Sequence, residues 1–221
     1  TPDQSILMED VGPSTGILDI KSPADVGWGV ELIDLDNDGH LDIVLANGST
    51  IEDELTLEVL KDPKLLPQKC RLLRNDGDAN FVDISKSGGK FFQRELIARG
   101  LACADYNQDG RMDVAIVLHS GEGTLLQNTS KETGNWLQVK LAGTTSNRFG
   151  IGAQIEVKVG ANTYSRQCVL SSSYLSSQSL IRHFGLGKAE QADSVTVHWP
   201  SGKTSEQKDV KLNQRITIEE K

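Results

Sequence analysis

The chain has 221 residues, 37% of them hydrophobic and 24% charged, with 31 acidic against 23 basic side chains and a formal net charge of -8. That length is enough to build a hydrophobic core in one large or two small domains. Three cysteines cannot staple it as a disulfide scaffold, the acidic balance offers no basic footprint for nucleic acid, and no apolar run approaches the roughly 20 residues of a membrane-spanning helix.

The first residues, Thr1-Pro2, carry neither an initiator Met nor a signal peptide and read as a processed or trimmed start. Further along, Gly29–Val44 returns 71 positions later as Gly100–Ala115, and each copy has a second echo, Leu72-Leu73-Arg74-Asn75 and Leu125-Leu126-Gln127-Asn128. Repeated units mean an array rather than one irregular fold. In the first copy Leu41–Leu45 reads as a short strand. A 20-residue excursion follows, with a helix predicted over Glu52–Lys61 and stopped by Pro63 and Pro67. Excursions of this length are more often functional or interacting surfaces than accidents. Arg71–Arg74 and Phe81–Ile84 flank Asp76-Gly77, a hairpin signal of the type I′ kind. In the second copy Cys103 lies in a run of small residues and reads as a packed side chain. Met112–Leu118 reads as another strand. Each unit then amounts to about four antiparallel strands, the size of one propeller blade. Cys70, Cys103 and Cys168 show no metal-ligand spacing and read as packed thiols, a single disulfide being the alternative.

From about Asn135 strand-like runs follow at Trp136–Leu141, Gln154–Val159, Tyr164–Leu170, Ser194–Trp199 and Gln214–Ile218. Trp199-Pro200-Ser201-Gly202 suits a type I turn. The serine run Ser171–Ser179 is interrupted by Tyr174 and Leu175, so it reads as ordered. The expected class is all-β: two four-stranded propeller-type blades in an open, incomplete propeller, then a sandwich or barrel-like domain. The boundaries are residues 1–134 for the blade region, with repeats over 29–99 and 100–134, and 135–221 for the last domain.

The chemistry lies in the repeated loops. Asp34, Asp36, Asp38 and Asp42 stand at positions 1, 3, 5 and 9 of the first, and Asp105, Asn107, Asp109 and Asp113 at the same positions of the second. Like charges crowded this way suit a hard cation, and Gly39 and Gly110 at position 6 permit the sharp turn. His40 and Arg111 at position 7 would each offer a backbone carbonyl. Six or seven oxygens in an irregular loop favour Ca²⁺ over Mg²⁺, so two Ca²⁺ sites are expected. Leu45 and Ile116 occupy position 12, where an EF-hand needs a bidentate Glu, so these are not EF-hands. Four carboxylates against three predict tighter binding at the first loop. Sites of this kind fill readily outside the cell, which predicts an extracellular, secreted or cell-surface location.

With these residues in view, the two units resemble FG-GAP/VCBS repeats, the calcium-loop blades of integrin-type propellers. The stretch from Asn135-Trp136 to about Glu220 resembles the ASPIC/UnbV domain of the cartilage acidic protein-like family. It does so through Leu141–Ala153, Ser172–Ser176, His183-Phe184-Gly185-Leu186-Gly187 and Val197–Gly202. Met8-Glu9-Asp10-Val11, with Ile6 and Leu7 before it, resembles the last strand of a preceding blade, making residues 1–28 the end of such a blade. The resemblance implies the carboxyl-terminal part of a larger secreted protein, linked to matrix and adhesion, with no catalytic residues to carry over. Asn107 departs from the usual aspartate.

The leading expectation is a calcium-stabilised extracellular structural or adhesion module, with self-association or other extracellular proteins as partners, because open blades expose strand edges that must be covered. A carbohydrate-binding module is the alternative, with Trp28, Trp136, Trp199 and Tyr174 as stacking faces for glycans, against the favoured reading of the four as hinge and core aromatics. An enzyme is the third reading. His40, His119, His183 and His198 form no triad or zinc pattern, and the serines lack a nucleophile elbow. Asn47-Gly48-Ser49 and Asn128-Thr129-Ser130 match glycosylation sequons.

Overall fold

A computed structural model describes residues 8–17, 25–49, 67–78, 80–119 and 121–221. The helix expected over Glu52–Lys61 and residues Ile6 and Leu7 lie outside them. Met8–Val11 form no strand and lead into a 3-10 turn at Gly12–Ser14.

The first copy of the repeat is a four-stranded antiparallel meander of β1 (Gly27–Ile33), β2 (Asp42–Asn47), β3 (Arg71–Asn75) and β4 (Phe81–Asp83). The register sets Ile33 opposite Asp42 and Asn75 opposite Phe81. The expected hairpin forms, but the positive φ angles fall on Gly77 and Asp78, one residue later than a two-residue type I′ turn requires. Asp76 donates its N–H to the Asn80 carbonyl, closing a longer loop. The open side of β4 is met by Thr15, whose carbonyl accepts the Phe81 N–H.

The second copy departs from expectation. β5 (Ala98–Ala104), β6 (Asp113–Leu118) and β7 (Gly123–Leu126) make a sheet of three strands, not four. After Leu126 the chain turns over the Asp loops and enters the next sheet at Trp136, so it is not available to pair with β7. Both small sheets contribute to one buried cluster, including Val44, Ala46 and Leu72 from one and Leu101, Val114 and Ile116 from the other.

Two further sheets follow. β9 (Gln154–Val159), β10 (Asn162–Gln167), β12 (Gln191–His198) and β13 (Thr204–Lys211) order as β10-β9-β12-β13. β8 (Trp136–Ala142) lies between β11 (Arg182–Gly185), antiparallel, and β14 (Gln214–Glu219), parallel. Side chains of both sheets, among them Leu137, Val139, Ile155, Val157, Phe184 and Val195, form a single core, the arrangement of two stacked sheets. The turn at Trp199–Gly202 is present, with the Gly202 N–H on the Trp199 carbonyl. β11 and β13 carry little apolar signal, since β11 is four mixed residues and β13 is an edge strand that buries only Ser205 and Val210. All three cysteines are buried and unpaired.

The stacked sheets are closed at the C-terminus by a carboxylate. Glu220 accepts the backbone N–H groups of Thr144, Thr145 and Ser146 and the hydroxyls of Ser146 and Ser201, at 2.5–2.8 Å. Burial pushes its pKa up, and these hydrogen bonds outweigh that and hold it at about 2. A depressed carboxylate stabilises the fold above its unfolded-chain value of 4.5, and that contribution fades as the pH falls towards 2. Glu220→Gln is therefore expected to melt earlier than the parent at pH 7, with the gap closing between pH 4.5 and 2. A gap that stays constant across that range in thermal melts would contradict the assignment.

Candidate metal centre

Each Asp loop is folded by its own aspartates. In the first, Gly39 donates its N–H to Asp34 Oδ2 at 2.9 Å, and His40 donates to Asp38 Oδ1 at 2.7 Å. Leu35 and Asn75 donate to the two oxygens of Asp42 at 2.9 Å each. The second loop repeats this pattern: Gly110 to Asp105, Arg111 to Asp109, Tyr106 and Asn128 to Asp113. Gly39 and Gly110 have φ of 98° and 85°, the left-handed region that the sharp turn requires.

The loops differ in what is left over. Carboxylate oxygens of Asp34, Asp36 and Asp42 converge within 4.8 Å of one another. Asp34 is only 3% exposed, and its Oδ1 is buried without a hydrogen-bond partner. Burial raises the Asp34 pKa to about 7, against the Gly39 hydrogen bond and with the help of Asp38, Asp36 and Asp42. Burial likewise lifts Asp42 to about 6 and raises Asp36. In the second loop Asp105 is fully engaged: Oδ1 accepts the Asp109 N–H, and Oδ2 accepts from Gly110 and from the Gln138 amide at 2.7 Å. Asp109 is paired with the Arg111 guanidinium and also accepts from the Asn107 amide. Asp38 lies outside the convergent trio, and the His40 ring faces Gly77. The Arg111 side chain also reaches the Asn128 carbonyl, a role no position-7 carbonyl argument foresees.

An orphaned oxygen on a buried, crowded carboxylate is costly unless a cation completes it. The donor set is all hard oxygen, which suits a hard divalent ion. The first loop thus fits such an ion, while the second spends its charge internally.

Both loops sit against the last sheets. The Asn37 amide donates to the Gly110 carbonyl, bridging the loops, and its Oδ1 lies 2.7 Å from His183 Nε2. With the Asn37 oxygen as acceptor, His183 carries its proton on Nε2. Desolvation lowers the imidazole to about 4, so it is neutral at pH 7. Gly187 and Gly134 donate N–H groups to the Asn37 and Asp36 carbonyls. Gln178 of the serine-rich segment accepts the Cys103 N–H at 2.9 Å, tying that segment to β5. Sequence reasoning missed Asn37, Gln138, His183 and Gly185, because each acts across the junction from a distant part of the chain.

Among the other expected features, Trp199 is 3% exposed with its indole N–H on Ser205, so it offers no stacking face. Trp136 stacks on His183 against Gly110. Trp28 packs edge-on to Tyr174 under the Arg99 guanidinium. Asn47 is buried with its amide on the Lys69 carbonyl, which closes that sequon. The Asn128 amide is likewise spent on the Leu35 carbonyl. No helix among the described residues is long and apolar enough to cross a membrane.

The structure defines an all-β protein whose Asp loops are wedged between two small meanders and a pair of stacked sheets. Residues 143–221 match the family described as ASPIC and UnbV. The chain is similar to cartilage acidic protein 1 from Homo sapiens, 26% identical over 243 residues covering 88% of this chain and 35% of that protein. The Xenopus tropicalis protein of that name is 31% identical over 137 residues, 58% of this chain and 18% of its own length. The Mus musculus protein is 26% identical, with 88% and 36% covered. The chain spans about a third of the length of the human and mouse relatives.

A Cβ at Gly185 would collide with Asp34 Oδ2, whereas one at Gly123 would meet nothing within 4 Å. Gly185→Ala is expected to cost about 1–3 kcal/mol through overpacking at the junction, and Gly123→Ala less than about 0.5 kcal/mol. Urea unfolding of the two variants decides this. Equal losses would mean that Asp34 is not clamped by β11.

Proposed function

We propose that this chain is a calcium-binding, non-enzymatic structural module of an extracellular protein, built from two FG-GAP/VCBS-type repeats and a terminal ASPIC/UnbV-like domain over residues 135–221. The observation that carries the reading is the unpartnered, buried Asp34 Oδ1 among the convergent oxygens of Asp36 and Asp42. Similarity to proteins named cartilage acidic protein 1 supports the extracellular placement. Asp34, Asp36 and Asp42 would hold the ion, with Asp38 near by. The ion would stabilise the ionised form of three carboxylates that burial, and then their mutual repulsion, now raise, and would tie the first loop beneath β11. The second loop would bind more weakly, because Asp105 and Asp109 would have to surrender existing partners.

Calcium is expected to raise the melting temperature relative to a chelator, and calorimetry should resolve one tighter site. Asp34→Asn should abolish that site and most of the thermal shift, while Asp113→Asn should spare it. A parent protein whose melting is unchanged by millimolar-range calcium (~1–5 mM, covering extracellular modules) would end the metal reading.

Self-association is part of the same proposal. β7 is an edge strand with Leu125 exposed on it, and an exposed edge recruits strands. Light scattering should show oligomers that dissociate when a proline replaces Leu125, whose N–H faces the open edge and not β6. A parent chain that stays monomeric at high concentration would remove this part. The carbohydrate reading retains only Trp28 with Tyr174 as a surface pair.

A further inference from the structure

Between the two small sheets runs a groove of about 520 Å³. Its apolar wall comprises Leu72, Ile84, Phe92, Met112, Val114 and Leu126, supplied by β3, β6, β7 and the segments beside them. That volume lies in the range of small-ligand and short-peptide sites. Its charged groups are unbalanced. Among the described residues, Asp36, Asp42 and Glu132 line it against a single cation, Arg74, and Arg74 is already paired with Asp76 at 2.6 Å. A divalent ion held by Asp36 and Asp42 would offset those two and leave Glu132 as the groove's uncompensated charge.

We propose that this groove binds a basic, aliphatic peptide segment of a partner protein. An arginine or lysine would lie against Glu132 and the rim of the Asp loop, with flanking aliphatic side chains on the apolar wall. Electrostatic complementarity supplies orientation and encounter rate, and apolar burial supplies most of the affinity. An acidic peptide meets the carboxylate surplus. A purely apolar ligand leaves the carboxylate surplus, Glu132 among it, without a counter-charge. This inference goes beyond the calcium reading and does not depend on it.

The test uses the full chain with a fluorescein-labelled acetyl-Leu-Arg-Val-Leu-amide, followed by anisotropy, with acetyl-Leu-Glu-Val-Leu-amide as control. Saturable binding of the basic peptide is expected, weakened about five- to tenfold by Glu132→Gln and by raising salt from about 50 to about 500 mM. Thr129→Trp, at an exposed lining position, is expected to fill the groove and abolish binding with the melting temperature unchanged. Equal binding of both peptides, no binding of the basic one, or full binding by the Thr129→Trp chain would overturn the proposal. Calcium calorimetry on the same sample separates the two ideas. A chain that takes the peptide but no calcium sinks the metal reading alone, and one that takes calcium but no peptide sinks only this inference.

Discussion

The organising constraint of this structure is negative charge held out of water. Asp34 and Asp42 are almost wholly buried, and the neighbouring carboxylates of the same loop raise the cost of ionising either. Backbone N–H groups meet part of that cost: Gly39, Leu35 and Asn75 each point at a carboxylate oxygen. One oxygen of Asp34 is left over. The turn geometry, the glycine at its sixth position and the placement of the loop under β11 all follow from the need to compensate these charges. A buried carboxylate without such compensation takes up a proton or unfolds its surroundings.

The two loops show how one motif divides into different electrostatic states. Their backbone hydrogen bonds superimpose, and so do the left-handed residues Asn37 and Gln108. The side chains around them do not. In the second loop Gln138 from β8 completes Asp105, and Arg111 lies across Asp109. In the first, position 7 is His40, whose ring faces the β3–β4 turn, and β11 contributes a neutral His183 and a glycine. Arg166 of β10 and Arg74 of β3 act on Asp34 and Asp36, yet both carboxylates stay raised, so the first loop is the one with a demand for an external cation.

Much of this was legible in the sequence, and the misses have physical causes. The spacing of the aspartates and glycines located both loops, because like charges at alternate positions are unfavourable without a purpose. β2, β6, β8, β9 and β12 announced themselves through alternation or short apolar runs. β11 and β13 did not, since Arg182–Gly185 is brief and mixed while β13 turns most of its residues to solvent. Trp199 admitted both a core reading and a stacking-face reading, because sequence cannot tell a buried indole with a hydroxyl partner from an exposed one; the structure bears out the core reading. Asn37, Gln138 and His183 were invisible for a further reason. Their importance comes from meeting across as many as 146 positions of chain, and no local pattern encodes such a meeting.

The asparagine that closes each repeat explains the asymmetry between the two small sheets. Asn75 and Asn128 both cap the ninth-position aspartate through their backbone N–H groups. The Asn75 side chain then turns inward, donating to Leu41 of its own unit at 3.2 Å, and the chain continues into β4. The Asn128 side chain instead reaches back to Leu35 of the first loop at 2.8 Å. Arg111 meanwhile holds the Asn128 carbonyl. These contacts carry the chain across the first loop, where Gly134 takes the Asp36 carbonyl and Asn135 begins the exchange with Gly187. The second sheet therefore ends at three strands because its outgoing segment is committed to the first loop. By the same route the stacked sheets are fixed over the Asp loops, so that any ion bound there would be felt by both parts of the chain.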